Sequence, residues 1–236
     1  MNTFLQKFAL LLKDAQLRSR LLFVLSVLAI FRLLAAIPIP GINAAQLQQF
    51  FNNNQFFGLL NLFSGGGLSN LSIVLLGVGP YITASIIMQL LTIMVPSLKQ
   101  LYQEEGEAGR QKFSQYSRLI TLPIAVVQGI GFLLLLQREA VLPALSPFQF
   151  GVNVLVVTAG SILLMWLGEL ISEFGLGNGV SLLIFAGIVA RLPQSTSQLL
   201  FSFDTTQIPV YVGFIVAAIA VVAAVVLLPR RSARCR

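Results

Sequence analysis

Apolar runs long enough to cross a lipid bilayer recur along almost the whole chain, and nothing else in the sequence restricts its fold so strongly. They cover residues 21–37, 73–95, 119–136, 152–170, 180–192 and 208–228. A helix needs about 20 apolar residues to cross the hydrocarbon core, so 236 residues leave room for roughly six to eight spans. Only 10% of the residues are charged, against about a quarter in soluble domains. The expected class is an all-α polytopic membrane protein with about six transmembrane helices. The fifth run is short, and reaches spanning length only if the turn at 175–179 and the Leu192-Pro193 end lie at the interfaces. Short, Gly-flanked spans often line a pathway.

The positive residues report orientation. Residues 1–20 carry Lys7, Lys13, Arg18 and Arg20 against Asp14, with Phe4, Phe8, Leu11 and Leu12 at helical spacing, as in an amphipathic interfacial helix. No small-residue cleavage site follows it, which argues against a removed signal peptide. These four join Lys99, Arg110, Lys112, Arg118, Arg230, Arg231, Arg234 and Arg236 on one side of the membrane, twelve against Arg138 and Arg191 on the other. Cytoplasmic flanks are enriched in Lys and Arg, so both termini are expected in the cytoplasm. The net charge of +7 is thereby read as topology, not as a nucleic-acid surface.

Residues 38–72 contain no charged residue, yet Pro, Asn and Gly break them too often for a span. Uncharged backbone at membrane depth must be buried in protein or line a cavity, because lipid cannot satisfy its N–H and C=O groups. The stretch is therefore a re-entrant candidate, with a half-helix at 56–63 ending at Gly65, Gly66 and Gly67.

The chemistry is restrictive. Histidine is absent and Cys235 is the single cysteine, which removes imidazole and thiolate metal sites, haem ligation by His and intrachain disulfides. Ser–His proteolysis fails for want of His, and Asp14 and Asp204 lie outside the spans, so no aspartyl dyad forms in the membrane. Gly175, Gly177 and Gly179 lack the Lys-Ser/Thr ending of a phosphate loop; they read as a tight turn, with Asn178 and the glycines at positive φ. Arg32 is near enough to a helix end to snorkel. Glu169 and Glu173 lie one turn apart at the cytoplasmic end of the fourth span, suited to capping or pairing. Without a carboxylate near the midplane a passive pathway fits better than an ion-coupled pump. Thr83, Ser85, Gln89 and Gln128 supply groups for interhelical hydrogen bonds. No enzyme activity and no cofactor are expected.

Several strings resemble the SecY family, the channel-forming subunit of the protein-conducting translocon. Ile37-Pro38-Ile39-Pro40-Gly41-Ile42 is similar to its first-span end, and Pro80-Tyr81-Ile82-Thr83-Ala84-Ser85-Ile86-Ile87 to its second span. Glu104-Glu105-Gly106-Glu107-Ala108-Gly109-Arg110 follows in register. The most specific string runs from Trp166-Leu167-Gly168-Glu169-Leu170-Ile171-Ser172-Glu173 through Gly175-Leu176-Gly177-Asn178-Gly179-Val180-Ser181. The resemblance implies an hourglass channel with an apolar waist, an external plug and a side exit for signal peptides and membrane segments. It assigns the ring to Val78, Ile82, Val180 and Ile184, and the plug to Asn61, Leu62, Phe63, Ser64, Gly65, Gly66, Gly67, Leu68 and Ser69. Gln89 and Gln128 fall at the side exit, or lateral gate. Each ring pair is spaced i, i+4, on one helical face. A ring of branched apolar side chains gates by dewetting and offers no directional bond that would select one substrate sequence.

The resemblance also implies SecE, SecG, the SecA motor and the ribosome as partners, with unfolded secretory chains and signal peptides as substrates. On this reading residues 1–20 form a cytoplasmic amphipathic segment. Residues 21–192 form the first five-span half, including the plug at 56–70. An external loop and sixth span occupy 193–228, and 229–236 is an atypical basic tail. Family members have ten spans, so this chain is expected to supply the first half and one further span, and to be unstable alone. A non-conducting truncated fragment and a small-solute transporter are the alternatives. The expected location is a bacterial-type plasma membrane, with the thylakoid membrane as the other option.

Overall fold

The computed structural model describes residues 14–39, 71–103, 106–138, 142, 145–190, 193, 197, 213, 214 and 216–225. The amphipathic segment at 1–13 and all plug residues, Asn61 to Ser69, lie outside the described residues. The chain divides into a unit of residues 1–191 and a second of 192–236.

In the first unit, helix α1 (Ala15–Ala36) starts at Asp14, whose carboxylate accepts the Gln16 N–H at 3.0 Å. Val24, Val27, Phe31 and Ala35, three or four residues apart, form its buried stripe. Its other side carries exposed Leu21, Leu22, Leu25, Ile30 and Leu33, so the helix is apolar all round, as a membrane span is. Ile37, held out of the helical region before Pro38, ends it.

The chain returns beside the point where it left. Pro38 and Ser72 form an antiparallel bridge, with Ile39 N–H bonded to Leu71 C=O at 2.8 Å and Ile73 N–H to Ile37 C=O at 3.1 Å. From there it does not enter a helix at once. Residues 73–78 form successive tight turns, in which the N–H groups of Leu75, Gly77 and Gly79 bond the carbonyls of Ser72, Val74 and Leu76. Gly77 takes φ +60°, where a side chain would be strained. Leu71, Ser72, Val74, Leu75 and Val78 are all buried. The second span therefore begins as a helix at Gly79, not at Ile73, because the backbone at 73–78 is satisfied by turns inside the protein.

Helix α2 (Gly79–Met94) runs about 24 Å at helical rise and bends by 114° at Val95 into α3 (Pro96–Gln103). Pro96 lacks the N–H needed to continue α2, which accounts for the break. Helix α4 (Gly106–Arg138) packs along α2 and α3, with the rings of Tyr102 and Phe113 4.8 Å apart. It extends beyond both ends of the expected third span. Pro123 lies inside it, and the hydroxyls of Ser117 and Thr121 bond back to the carbonyls of Phe113 and Ser117.

Helix α5 (Pro147–Phe174) is the central element, packing against α1, α2, α4 and the following α6 (Gly179–Val189). Ser146 and Gln149 form a reciprocal capping box at its start, with Pro147 in the first turn. Two apolar clusters flank it. One joins Ile39, Leu71, Leu75, Leu133, Leu136, Leu142, Val154 and Val157; the other is built around Val24, Phe31, Val74, Val78, Leu164, Ile171 and Leu183. Gly160 lets the turn segment lie directly on α5, since a methyl there would overlap the Ile73 carbonyl oxygen.

In the second unit the described residues include an apolar helix, α7 (Val216–Val225), within the expected sixth span. Among the described residues three helices are long and apolar enough to cross a membrane, or four if the bent α2–α3 pair counts as one span. Helices α6 and α7 are apolar but shorter.

Gly160→Ala is expected to lower stability by about 1–3 kcal/mol through overpacking against backbone. Gly131→Ala, with nothing within 4 Å of the added methyl, should leave it equal or higher. Thermal unfolding of the two variants in lipid nanodiscs checks the difference.

Candidate functional site

The four ring candidates come from two elements that both begin beside α5. Val78 is the N-cap of α2, and its carbonyl accepts the Ile82 N–H at 3.1 Å, so the two share the register of the first turn. Val180 and Ile184 lie in the first turns of α6. All four border one apolar cluster: Val78 is part of the cluster of α1, α5 and α6, and Ile82, Val180 and Ile184 pack against it half-buried. Val78 itself is 4% exposed, enclosed within this chain, whereas the other three keep part of their surface open.

The glycine turn sets where α6 begins. Gly168 on α5 faces Gly179, and a methyl on Gly179 would fall on the Gly168 carbonyl. A methyl on Gly168 would lie 3.0 Å from Val180 Cγ2. The missing side chains thus bring the α6 backbone onto α5 and press Val180 against it. Ser172 fixes the contact: its hydroxyl donates to Gly168 C=O at 2.9 Å and accepts Gly179 N–H at 2.8 Å. Asn178 caps α6 by accepting Ser181 N–H at 3.1 Å, and its φ is −86°, not positive as the sequence suggested. An N-cap needs extended backbone, so the left-handed position falls on Gly177, at φ +75°.

The polar groups divide differently from expectation. Thr83 donates to Gly79 C=O at 3.1 Å within its own helix, not across to another. Gln89 is exposed on α2 and Gln128 half-buried on α4, and these two helices pack side by side. Glu169 pairs with Arg118 of α4, Nε to Oε1 at 2.6 Å, with the side chains 19% and 44% exposed. Sequence spacing gave Glu169 its helix position but no long-range partner. Ser172 was likewise visible only as part of a string. Among the described residues no three His, Cys, Asp or Glu side chains come together as metal ligands.

Long apolar helices packed around a buried non-helical segment define a polytopic membrane protein. Residues 72–235 match the SecY family. The protein translocase subunit SecY of Synechocystis sp. is 47% identical over 197 residues, covering 84% of this chain and 43% of that protein. Its counterpart in Pseudomonas aeruginosa is 43% identical over 224 residues, covering 93% and 50%. Two solved structures share the fold at TM-score 0.52 and 23% identity, over 72% of this chain and 35% of theirs. One is described as a protein conducting channel, the other as Sec61 in the canine ribosome-channel complex from the endoplasmic reticulum. The chain belongs to the SecY family of protein translocase subunits, a channel family and not an enzyme family. It spans about half the length of the curated relatives it matches.

Ser172→Ala, which leaves the Gly179 N–H without its acceptor, should cost about 1 kcal/mol, and Asn178→Ala about as much through the lost cap. Asn178→Asp should retain most of the cap's contribution. Thermal unfolding in nanodiscs measures each.

Proposed function

We propose that this chain forms part of the wall of a protein-conducting channel, contributing the N-terminal half of a SecY-type pore. It provides a passive conduit for secretory chains and a lateral exit for signal peptides and membrane segments. The observation that carries the reading is the gathering of Val78, Ile82, Val180 and Ile184 around one cluster, at the starts of α2 and α6. Half-buried Ile82, Val180 and Ile184 are the part of the ring that meets the passing chain, and enclosed Val78 supports them from behind. Branched apolar groups at a constriction exclude water and ions while accepting any side chain. Gln89 and Gln128 lie on the packed pair α2 and α4, which supports a place at the lateral gate. Asn61 to Ser69 form the plug on this reading, closing the pore from outside.

Driving force comes from partners: the ribosome or SecA feeding the chain, with SecE and SecG completing the complex in a bacterial-type plasma membrane or a thylakoid. The remaining pore wall is supplied by segments equivalent to the other half of the relatives.

With Cys235 changed to Ser, cysteines at Ile82 and Ile184 in the native membrane complex should cross-link to a stalled secretory chain. A cysteine at Leu183, buried in the core, should not. Absence of adducts at both ring positions in intact membranes contradicts the assignment.

A further inference from the structure

The Arg118–Glu169 ion pair joins α4 and α5, which also meet through the apolar cluster of Leu133, Leu136, Val154 and Val157. Helix α2 lies along α4, the 114° bend folds α3 back onto α4, and the rings of Tyr102 and Phe113 meet at 4.8 Å. Helix α5 packs against α1 and α6 as well, with Phe23 of α1 edge-on to Phe174 of α5 at 6.3 Å. The pair is close to the cytoplasmic end of both its helices. Arg118 lies seven residues, about 10 Å at helical rise, from the Gln111 start of the apolar part of α4. Glu169 lies five residues, about 8 Å, from Phe174.

Its neighbours connect it to the ring. Arg118 lies on α4, which packs along α2, the helix that carries Ile82. Glu169 follows Gly168, the residue on which Val180 and Gly179 rest. The ion pair therefore joins the helix packed along α2 to the stretch of α5 on which α6 begins. Glu173, one turn along α5, adds a second negative charge near this end of the helix.

We propose that Arg118 and Glu169 are positioning residues that set the distance between the Ile82 and Val180/Ile184 sides of the ring. This inference rests on the pore assignment above. A cytoplasmic partner bearing on α3 or the start of α4 moves Arg118 relative to Glu169, and the α2 end of the ring follows. Loss of the pair loosens the ring without altering any residue that lines it.

The test uses the native membrane complex carrying Ile184→Cys and Cys235→Ser, with stalled precursors bearing either an intact or a defective signal peptide. Adducts are normalised to membrane-inserted chain. With Arg118→Gln or Glu169→Gln, the defective precursor should give about fivefold or more adduct, the lower end of typical coupling between sites. Arg118→Lys should change it much less, and the exchange Arg118→Glu/Glu169→Arg should restore low adduct. The intact precursor should cross-link in every variant. No adduct with the intact precursor in the parent complex overturns the pore assignment itself. Intact-precursor adducts with unchanged defective-precursor adducts overturn only the positioning role. Failure of both neutral variants to accumulate also overturns it, by assigning the pair to the scaffold.

Discussion

Every backbone N–H and C=O at membrane depth needs a partner within the protein, and the arrangement of this molecule follows from how residues 71–79 meet that requirement. A continuous helix from Ile73 would satisfy its own backbone, but the chain instead closes a bridge onto the end of α1 and descends through three tight turns. That route is feasible only where protein, not lipid, surrounds it. Gly160 opens the necessary space on α5, and Leu71, Val74 and Leu75 fill the flanking clusters. Two buried hydroxyls, Ser72 Oγ and Thr158 Oγ1, have no hydrogen-bond partner among the described residues.

The same economy of space governs α6. Gly168 and Gly179 replace side-chain packing by backbone contact, and Ser172 turns that contact into a hydrogen-bonded one. Two helices thus begin against α5, each by a backbone approach that a methyl group would prevent. Apolar residues at both starts, Val78 with Ile82 and Val180 with Ile184, are brought to one cluster by geometry that polar residues and glycines determine. The fixed starts of α2 and α6, more than the identity of any single apolar side chain, set where these residues lie.

Much of this was legible in the residues and some was not. The apolar runs marked the helices because composition along a span is set by lipid, but the start of α5 at Pro147, ahead of the expected 152, was not read from its Ser146 capping box. Most of the re-entrant candidate at 38–72 lies outside the described residues, and of it only the pairing of Pro38 with Ser72 is seen. What periodicity could not give was the start of α2, since residues 73–78 are as apolar as a helix and only their neighbours on α5 decide otherwise. Asn178 was misassigned for a related reason: Asn favours both left-handed turns and helix caps, and the α6 register selects the cap. Glu169 was placed on its helix but not with Arg118, because the partners are 51 residues apart. The ring residues followed from resemblance to the SecY family, since i, i+4 apolar pairs occur on every membrane helix.

Residues 71–78 form a buried, hydrogen-bonded, non-helical segment that fixes the start of α2. Hydrogen exchange of the Ile73, Leu75, Gly77 and Gly79 amides, in the native complex in lipid, measures it most directly. The account predicts protection comparable to the core amides of α5 around Leu164. Exchange as fast as that of an unstructured peptide would contradict it.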